Sequence, residues 1–359
     1  MKKIKVLHYL SNLGLGGTEK TCQLFIENCG YEIEPYLAYK ENGSHPRLND
    51  FEIATKINGG KCIPINETQE LQKAIDELSI DIVHVYRSGY SEFPEPDLDI
   101  KCKAFVETNV FGFFDANPKI NKTLYMSKWL MDFSLSKLGN RINNVYNNRF
   151  NFVNNPVEEP ITSKKLDIKI PEGAIVLGRC GRPDNGIYNS INVQAARSLI
   201  LQGYNLFFIV VAPPPNMIQD LIDWEIPFYA IEPTTDSETL SRFYNTVDIY
   251  CHARADGETF GVNIAEAMMH GKPVVTHIAT PSVPGMGVFQ SQTELIEDGV
   301  NGFVTQNHPM LYAEKIKKLI DNPELRRIIG IRNKEKAMNE YLASVCVSKL
   351  EKIYKEIAS

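Results

Sequence analysis

The chain has no stretch approaching the roughly 20 consecutive apolar residues that a membrane-crossing helix needs, which excludes a spanning segment as its organising element. It has no C-x-x-C pair. Its 7 cysteines, Cys22, Cys29, Cys62, Cys102, Cys180, Cys251 and Cys346, are scattered, which argues against a disulfide framework and a zinc site and fits a reducing cytosol. It has no excess of positive charge either: 38 Lys and Arg stand against 44 Asp and Glu, a formal net charge of −6. Both signs are mixed along the chain, so no broad basic field exists to attract nucleic acid or an anionic membrane, and any such contact is local. The start, MKKIKVLHYLSNLG, does not read as a signal peptide, because its apolar core Val6 to Leu10 is short and contains His8. The sequons at Asn66 and Asn121 therefore carry little weight.

What is present is length and alternation. At 359 residues the chain suggests two domains of roughly 150 to 180 residues each. Short β-rich runs alternate with amphipathic stretches, the pattern of strand–helix units around a parallel sheet. Strands are expected at Lys5–Leu10, Tyr36–Ala38, Lys61–Ile65, Asp81–Val85, Ala104–Thr108 and Thr123–Met126, with a last one in FNFV. The Asn155-Pro156 turn and the charged segment after it read as a hinge. Strands resume at Ala174–Leu177, Asn205–Ala212, Phe228–Ile231, Asp248–His252 and Pro273–His277, and successive helices follow Met310. The expected division is 1–155, 156–335, and a final helical segment 336–359 that crosses back to the first domain. The class is α/β, with two Rossmann-like doubly wound domains.

Two stretches carry chemistry. NLGLGGTEK follows the first strand and opens a helix; glycines at 14, 16 and 17 let backbone N–H groups approach an anion beside a helix N-terminus. It reads equally well as a tight turn without ligand. The G-x-G-x-x-G dinucleotide fingerprint fails, because Glu19 stands where its third glycine belongs. The second stretch is DIYCHARADGETFGVNIAEAMMHGKPVV. Here a strand ends near His252, a polar loop carries Glu258, and a helix carrying Glu266 runs to a C-terminal Gly271. The spacing lets both acids face one crevice at the strand ends. One carboxylate can accept two ribose hydroxyls, the other can meet a developing positive charge on a sugar, and the N–H groups of Phe260, Gly261 and Val262 suit a phosphate.

The run Glu258-Thr-Phe-Gly-Val-Asn-Ile-Ala-Glu266, continued by Gly271-Lys-Pro-Val-Val275, resembles the E-x7-E signature of family 4 retaining glycosyltransferases with the GT-B fold. Other pieces fall in that family's order: Gly16-Gly17-Thr18-Glu19, Asp81-Ile-Val-His84, Asn155-Pro156-Val157, Gly178-Arg179, and Glu294 through Val304. The resemblance implies two domains facing an interdomain cleft and retaining transfer of a sugar from a UDP- or GDP-sugar to a glycan or lipid-linked acceptor. It also implies no cofactor, no metal, and a cytoplasmic protein with at most peripheral contact at the inner membrane surface. On this reading Glu266 holds the donor ribose, Glu258 lies beside the transferred sugar, and Gly16 and Gly17 approach the diphosphate or acceptor. Arg182, with Arg179 as its rival, neutralises the leaving group.

Three departures from the family stand out. No lysine occurs between Ile170 and Gly271, so the diphosphate must rely on Arg179 and Arg182, with Arg254 as a reserve cation. Where many relatives carry a histidine the chain has Glu107, Thr108 and Asn109, and Asn109 is the candidate to bond a sugar hydroxyl. VVAPPPN, at Val210 to Asn216, has prolines where relatives tend to have glycines. These departures keep a non-catalytic carbohydrate-binding or scaffold protein open, beside an epimerase or phosphorylase-like enzyme on the same fold. Asp97-Leu98-Asp99 matches a metal-binding D-x-D but lies in a proline-flanked loop. His84 reads equally as a satisfied core imidazole or a substrate contact, and the Phe111, Phe113 and Phe114 group as packing or as an acceptor or lipid contact.

Overall fold

The computed structural model describes all residues except 1–2, 88, 90–99, 140–147 and 282–287, and Asp97 and Asp99 lie outside the described residues. The chain divides into two compact units, Met1–Pro156 with Tyr341–Ser359, and Val157–Glu340.

In the first unit, β1 (Ile4–Leu10), α1 (Gly17–Glu27), β2 (Ile33–Lys40), α2 (Leu48–Ile57), β3 (Cys62–Ile65), α3 (Thr68–Leu78), β4 (Ile82–Arg87), β5 (Ala104–Asn109), β6 (Lys122–Tyr125), α4 (Lys128–Leu138) and β7 (Phe150–Phe152) follow in order. Among the described residues the strands form a 7-stranded sheet in the order β3-β2-β1-β4-β5-β6-β7. β4 and β5 are buried along their whole length, and the polar side chains they carry, His84, Arg87, Glu107, Thr108 and Asn109, are buried with them. β2 begins at Ile33, earlier than its sequence suggests, because Pro35 is tolerated there. The N–H of Leu37 faces β3, so the missing N–H of Pro35 faces the same side, where β3 pairing starts only at Leu37.

The second unit contains β8 (Ile175–Cys180), α5 (Ile191–Leu201), β9 (Leu206–Val211), α6 (Pro215–Asp223), β10 (Phe228–Ile231), α7 (Ser237–Thr246), β11 (Ile249–Cys251), α8 (Val262–Met269), β12 (Val274–His277), α9 (Gln292–Leu295), β13 (Gly302–Thr305), α10 (Pro309–Ile320) and α11 (Pro323–Glu340). Its described strands form a 6-stranded parallel sheet, β10-β9-β8-β11-β12-β13. β13 is not among the strands expected from sequence. It is short and starts on glycine, and its strand character comes from pairing with β12 along Val274–His277, a long-range contact that local propensity does not report.

α12 (Ala343–Ala358) belongs to the first unit. Cys346, Val347, Leu350 and Ile353 enter the same core as Val6, Leu10, Cys22 and Phe25. Polar contacts fix its register: Glu351 accepts from Gly30 N at 2.5 Å, and the Tyr354 hydroxyl meets His84 Nδ1 at 2.5 Å. His84 Nε2 meets Thr108 Oγ1 at 2.8 Å, and His8 Nδ1 meets the Tyr86 hydroxyl at 3.1 Å. Burial holds both imidazoles below their usual range, His8 at about 3. His84 is therefore a satisfied, neutral core residue.

Candidate functional site

Strand order in the second unit reverses between β8 and β11. At such a reversal the connections leave the two strands in opposite directions and open a crevice at their carboxyl ends. β8 delivers Arg179 and the turn through Arg182 to that place. β11 delivers His252, the loop carrying Arg254, Asp256 and Glu258, and then α8.

The loop is rigid for reasons visible residue by residue. Gly257 has φ 72°, and a Cβ there would lie 1.8 Å from Phe289 O, so only glycine fits. Asp256 O accepts from Phe289 N and Glu258 O from Ser291 N, each at 2.9 Å. Glu258 N donates to Gln292 Oε1 at 3.1 Å, and Gln292 Nε2 donates to His277 O at 3.1 Å. Gly261 caps α8 at φ 105°, a left-handed conformation that leaves the first N–H groups of the helix without intrahelical partners. At the other end Gly271 N bonds Met268 O and Lys272 N bonds Ala267 O, the paired closure that an αL glycine after a helix makes.

Glu258 is buried, and each carboxylate oxygen has its own partner. His252 Nε2 lies 3.1 Å from Oε1, and Arg254 Nη1 lies 3.5 Å from Oε2. Arg254 is itself held by Asp256 through bonds of 2.6 and 3.1 Å. Burial alone would raise the carboxyl's pKa, but Arg254, His252 and Arg182 outweigh it and hold the acid below its usual range. Glu258 is therefore an anion at neutral pH. His252 completes its other side by meeting Thr276 Oγ1 through Nδ1 at 2.8 Å. Nearby, His277 Nε2 accepts from Arg254 N at 3.3 Å while Nδ1 donates to Ile278 O at 3.0 Å. Burial lowers the His277 pKa to about 4.

Glu266 lies just over one turn into α8, as its spacing predicts, and accepts from the Tyr244 hydroxyl at 2.8 Å. Val262 is the first residue of α8. Phe260, expected to meet a phosphate through its backbone N–H, buries its side chain in the core, with 1% exposed.

The two arginines differ. Arg182 is exposed. Arg179 is 3% exposed, and its Nη1 has no hydrogen-bond partner among the described residues. A Cβ on Gly181 would stand 3.1 Å from both Nη atoms, so a larger residue there would press on the guanidinium. Burial lowers its pKa, working against its charge. The turn itself is clamped, since Cys180 O accepts from Asn263 Nδ2 at 2.8 Å and from the Tyr250 hydroxyl at 3.1 Å. In the lysine-free turn, Asn185 Oδ1 accepts from Asn216 N at 3.0 Å. The prolines beyond it cap and open α6, Pro214 as its N-cap and Pro215 as its first residue.

In the first unit the expected residues stand differently. Asn109 is fully buried; its Oδ1 accepts from Gly112 N at 2.7 Å, and its Nδ2 donates to Phe113 O. Both polar groups are spent inside one turn, so Asn109 pins that turn and does not reach a sugar. At the glycine turn, Gly16 caps α1 and Gly17 opens it. The Glu19 carboxylate folds over them, so that a Cβ on Gly16 would lie 2.5 Å from Glu19 Oε2. That carboxylate therefore stands beside the turn expected to approach the diphosphate or acceptor.

Sequence reasoning assigned no role to His252, Thr276, Gln292 or Tyr244. His252 had only its position at a strand end as a signal, and the other three reach the site from separate elements. Among the described residues no group of three or more His, Cys, Asp or Glu is placed to hold a metal ion, and no helix is long and apolar enough to cross a membrane.

Comparison with known proteins places this geometry. Residues 233–336, which include Glu258 and Glu266, match the family model for glycosyl transferases group 1. An uncharacterised glycosyltransferase of Methanocaldococcus jannaschii is 37% identical over 102 residues, 28% of this chain and 26% of its own length. The capsular polysaccharide biosynthesis glycosyltransferase CapM of Staphylococcus aureus is 25% identical over 222 residues, 59% of this chain and 52% of its own. The chain thus spans from a quarter to about half of the length of these relatives. Among solved structures, a glycosyltransferase from Rickettsia africae superposes with a TM-score of 0.73 at 15% identity, covering 99% of each chain. Anabaena HepE in complex with UDP-glucose does so with a TM-score of 0.70 at 14% identity, covering 98% of this chain and 100% of its own. The chain has the GT-B fold, with two parallel-sheet Rossmann-like domains, and residues 233–336 of its second domain match the model for glycosyl transferases group 1.

Proposed function

We propose that this protein is a retaining glycosyltransferase that binds a nucleotide-sugar through its second unit and passes the sugar to a glycan or lipid-linked acceptor. The observation that carries the reading is the pairing of a buried anionic Glu258 with a buried, unpartnered Arg179 nitrogen at the reversal between β8 and β11. A diphosphate satisfies that nitrogen, and the free N–H groups of Gly261 and Val262 at the start of α8 complete the cradle. Arg182, more exposed, adds charge at the same turn. Glu266 takes the ribose hydroxyls, steadied by Tyr244. Glu258 faces the sugar, where a fixed negative charge favours the oxocarbenium-like character that develops as the glycosidic phosphate leaves. The leaving phosphate accepts the acceptor proton.

Positive charge from arginine and helix N–H groups does the work at the diphosphate, so transfer needs no metal. The donor class is a UDP- or GDP-sugar. HepE is solved with UDP-glucose and CapM is named for capsular polysaccharide biosynthesis, which supports a nucleotide-sugar donor and a glycan or lipid-linked acceptor here.

Calorimetric titration with UDP-, GDP- and ADP-sugars in EDTA, then in Mg²⁺, tests the reading. Selective micromolar binding in EDTA followed by nucleotide release on adding acceptor is expected. Absence of binding to every donor in both buffers overturns it.

A further inference from the structure

Building on the reading of Glu258 as the carboxylate beside the transferred sugar, we infer that His252 is a positioning residue. Its ring ties Thr276 to Glu258 and fixes one orientation of that carboxylate. The placement follows from the sheet. β11 and β12 pair with Cys251 opposite Val275, and His252 N donates to Val275 O at 2.9 Å, so the next residues in register, His252 and Thr276, present neighbouring side chains. The main chain is also held from α10, whose Tyr312 hydroxyl donates to His252 O at 2.9 Å.

The tautomer follows from the partners. Glu258 is held ionised, so it only accepts, and the proton on the ring must be at Nε2. Nδ1 meets the Thr276 hydroxyl, which can donate or accept, at 2.8 Å. An imidazole N–H on Oε1 and the Arg254 guanidinium on Oε2 leave the carboxylate one orientation. With His252 replaced by an apolar residue, Oε1 loses its partner and the carboxyl is free to turn about its last bond. Filling space is not enough to account for this residue, because an apolar side chain fills a core without the desolvation cost of an imidazole.

Two arms test the proposal. Long-range ¹H–¹⁵N imidazole spectra of the wild type and Glu258→Gln read the contact directly. An Nε2–H tautomer for His252, whose resonances move on Glu258→Gln, is expected, and an Nδ1–H tautomer or an unmoved ring overturns the inference. The second arm is kinetics on the nucleotide-sugar that the wild type consumes. His252→Leu should lower kcat about 10- to 100-fold, the loss expected for one hydrogen bond to a charged group, with donor KM within about twofold. His252→Gln, which keeps an N–H for Oε1, should recover part of it. An unchanged kcat, or no recovery with glutamine, overturns the positioning role. A wild type that consumes no nucleotide-sugar yet shows the tautomer overturns the glycosyl-transfer reading and leaves the His252–Glu258 contact standing.

Discussion

The hydroxyl of Tyr244 on α7 donates to Glu266 Oε2 on α8 at 2.8 Å. The phenol is fully buried, and burial together with the neighbouring carboxylate pushes its pKa far up, so it is a permanent donor. One oxygen of Glu266 is thereby fixed, which in the proposed function orients the carboxylate toward the donor ribose.

This arrangement divides the two acids. Glu266→Ala should weaken nucleotide-sugar binding more than Glu258→Gln, which should slow transfer with little change in donor affinity. Tyr244→Phe, losing one hydrogen bond, should raise the donor Kd about threefold to tenfold. Calorimetry with nucleotide and nucleotide-sugar separates these outcomes, and equal binding losses for the two acids would sink the division.

Arg179 trades stability for charge. Its guanidinium is buried with an unpartnered nitrogen, a condition that costs about 1–3 kcal/mol. Arg179→Met should therefore raise the melting temperature of the ligand-free protein while lowering affinity for UDP about 10- to 100-fold. Scanning calorimetry with and without UDP reads both effects, and a variant that loses stability and keeps affinity would refute this account.

Asn109 should behave as a structural residue. Asn109→Ala removes both bonds that close the turn to Gly112 and Phe113, and leaves the groups it satisfied without partners. A loss of about 1–3 kcal/mol in denaturant unfolding is expected, with donor affinity unchanged.

Acid should destabilise the fold ahead of ordinary carboxylate titration. His8 and His277 are depressed by burial to about 3 and about 4 from 6.5. Below pH 6.5 the unfolded chain takes up protons that the folded chain refuses, so stability falls as pH falls. Each histidine contributes up to about 1.4 kcal/mol per pH unit, down to its folded pKa. The depressed Glu258 works in the same direction lower down, its contribution being present above the ordinary carboxylate pKa and lost as pH falls through the folded value. His8→Asn should flatten the slope between pH 6.5 and 4 in chemical denaturation, whatever it costs in absolute stability.

Much of the fold was legible because buried parallel strands carry β-rich, largely apolar runs: β1, β4, β5 and β9 lie within a residue or two of where the sequence places them, while β8 runs three residues past its expected end at Leu177. β13 was missed, since its strand character depends on β12. At the site, the loop acid and the helix acid followed from eight residues of spacing and the helix end at Gly271.

Sequence by itself determined the α/β class, the loop–helix setting of Glu258 and Glu266, and the pair of arginines at the end of β8 and in the turn that follows, because each rests on local pattern and backbone preference within a few residues. Only the tertiary structure decided which groups act on which. It buried Arg179 with one nitrogen lacking a partner among the described residues and left Arg182 exposed, spent Asn109 on its own turn, laid Glu19 over the glycines, and brought Thr276, His252 and Arg254 around Glu258. Burial and hydrogen-bond satisfaction are sums over neighbours distant in the chain. A residue's type therefore states what it can donate or accept, and the fold alone states whether anything is there to receive it.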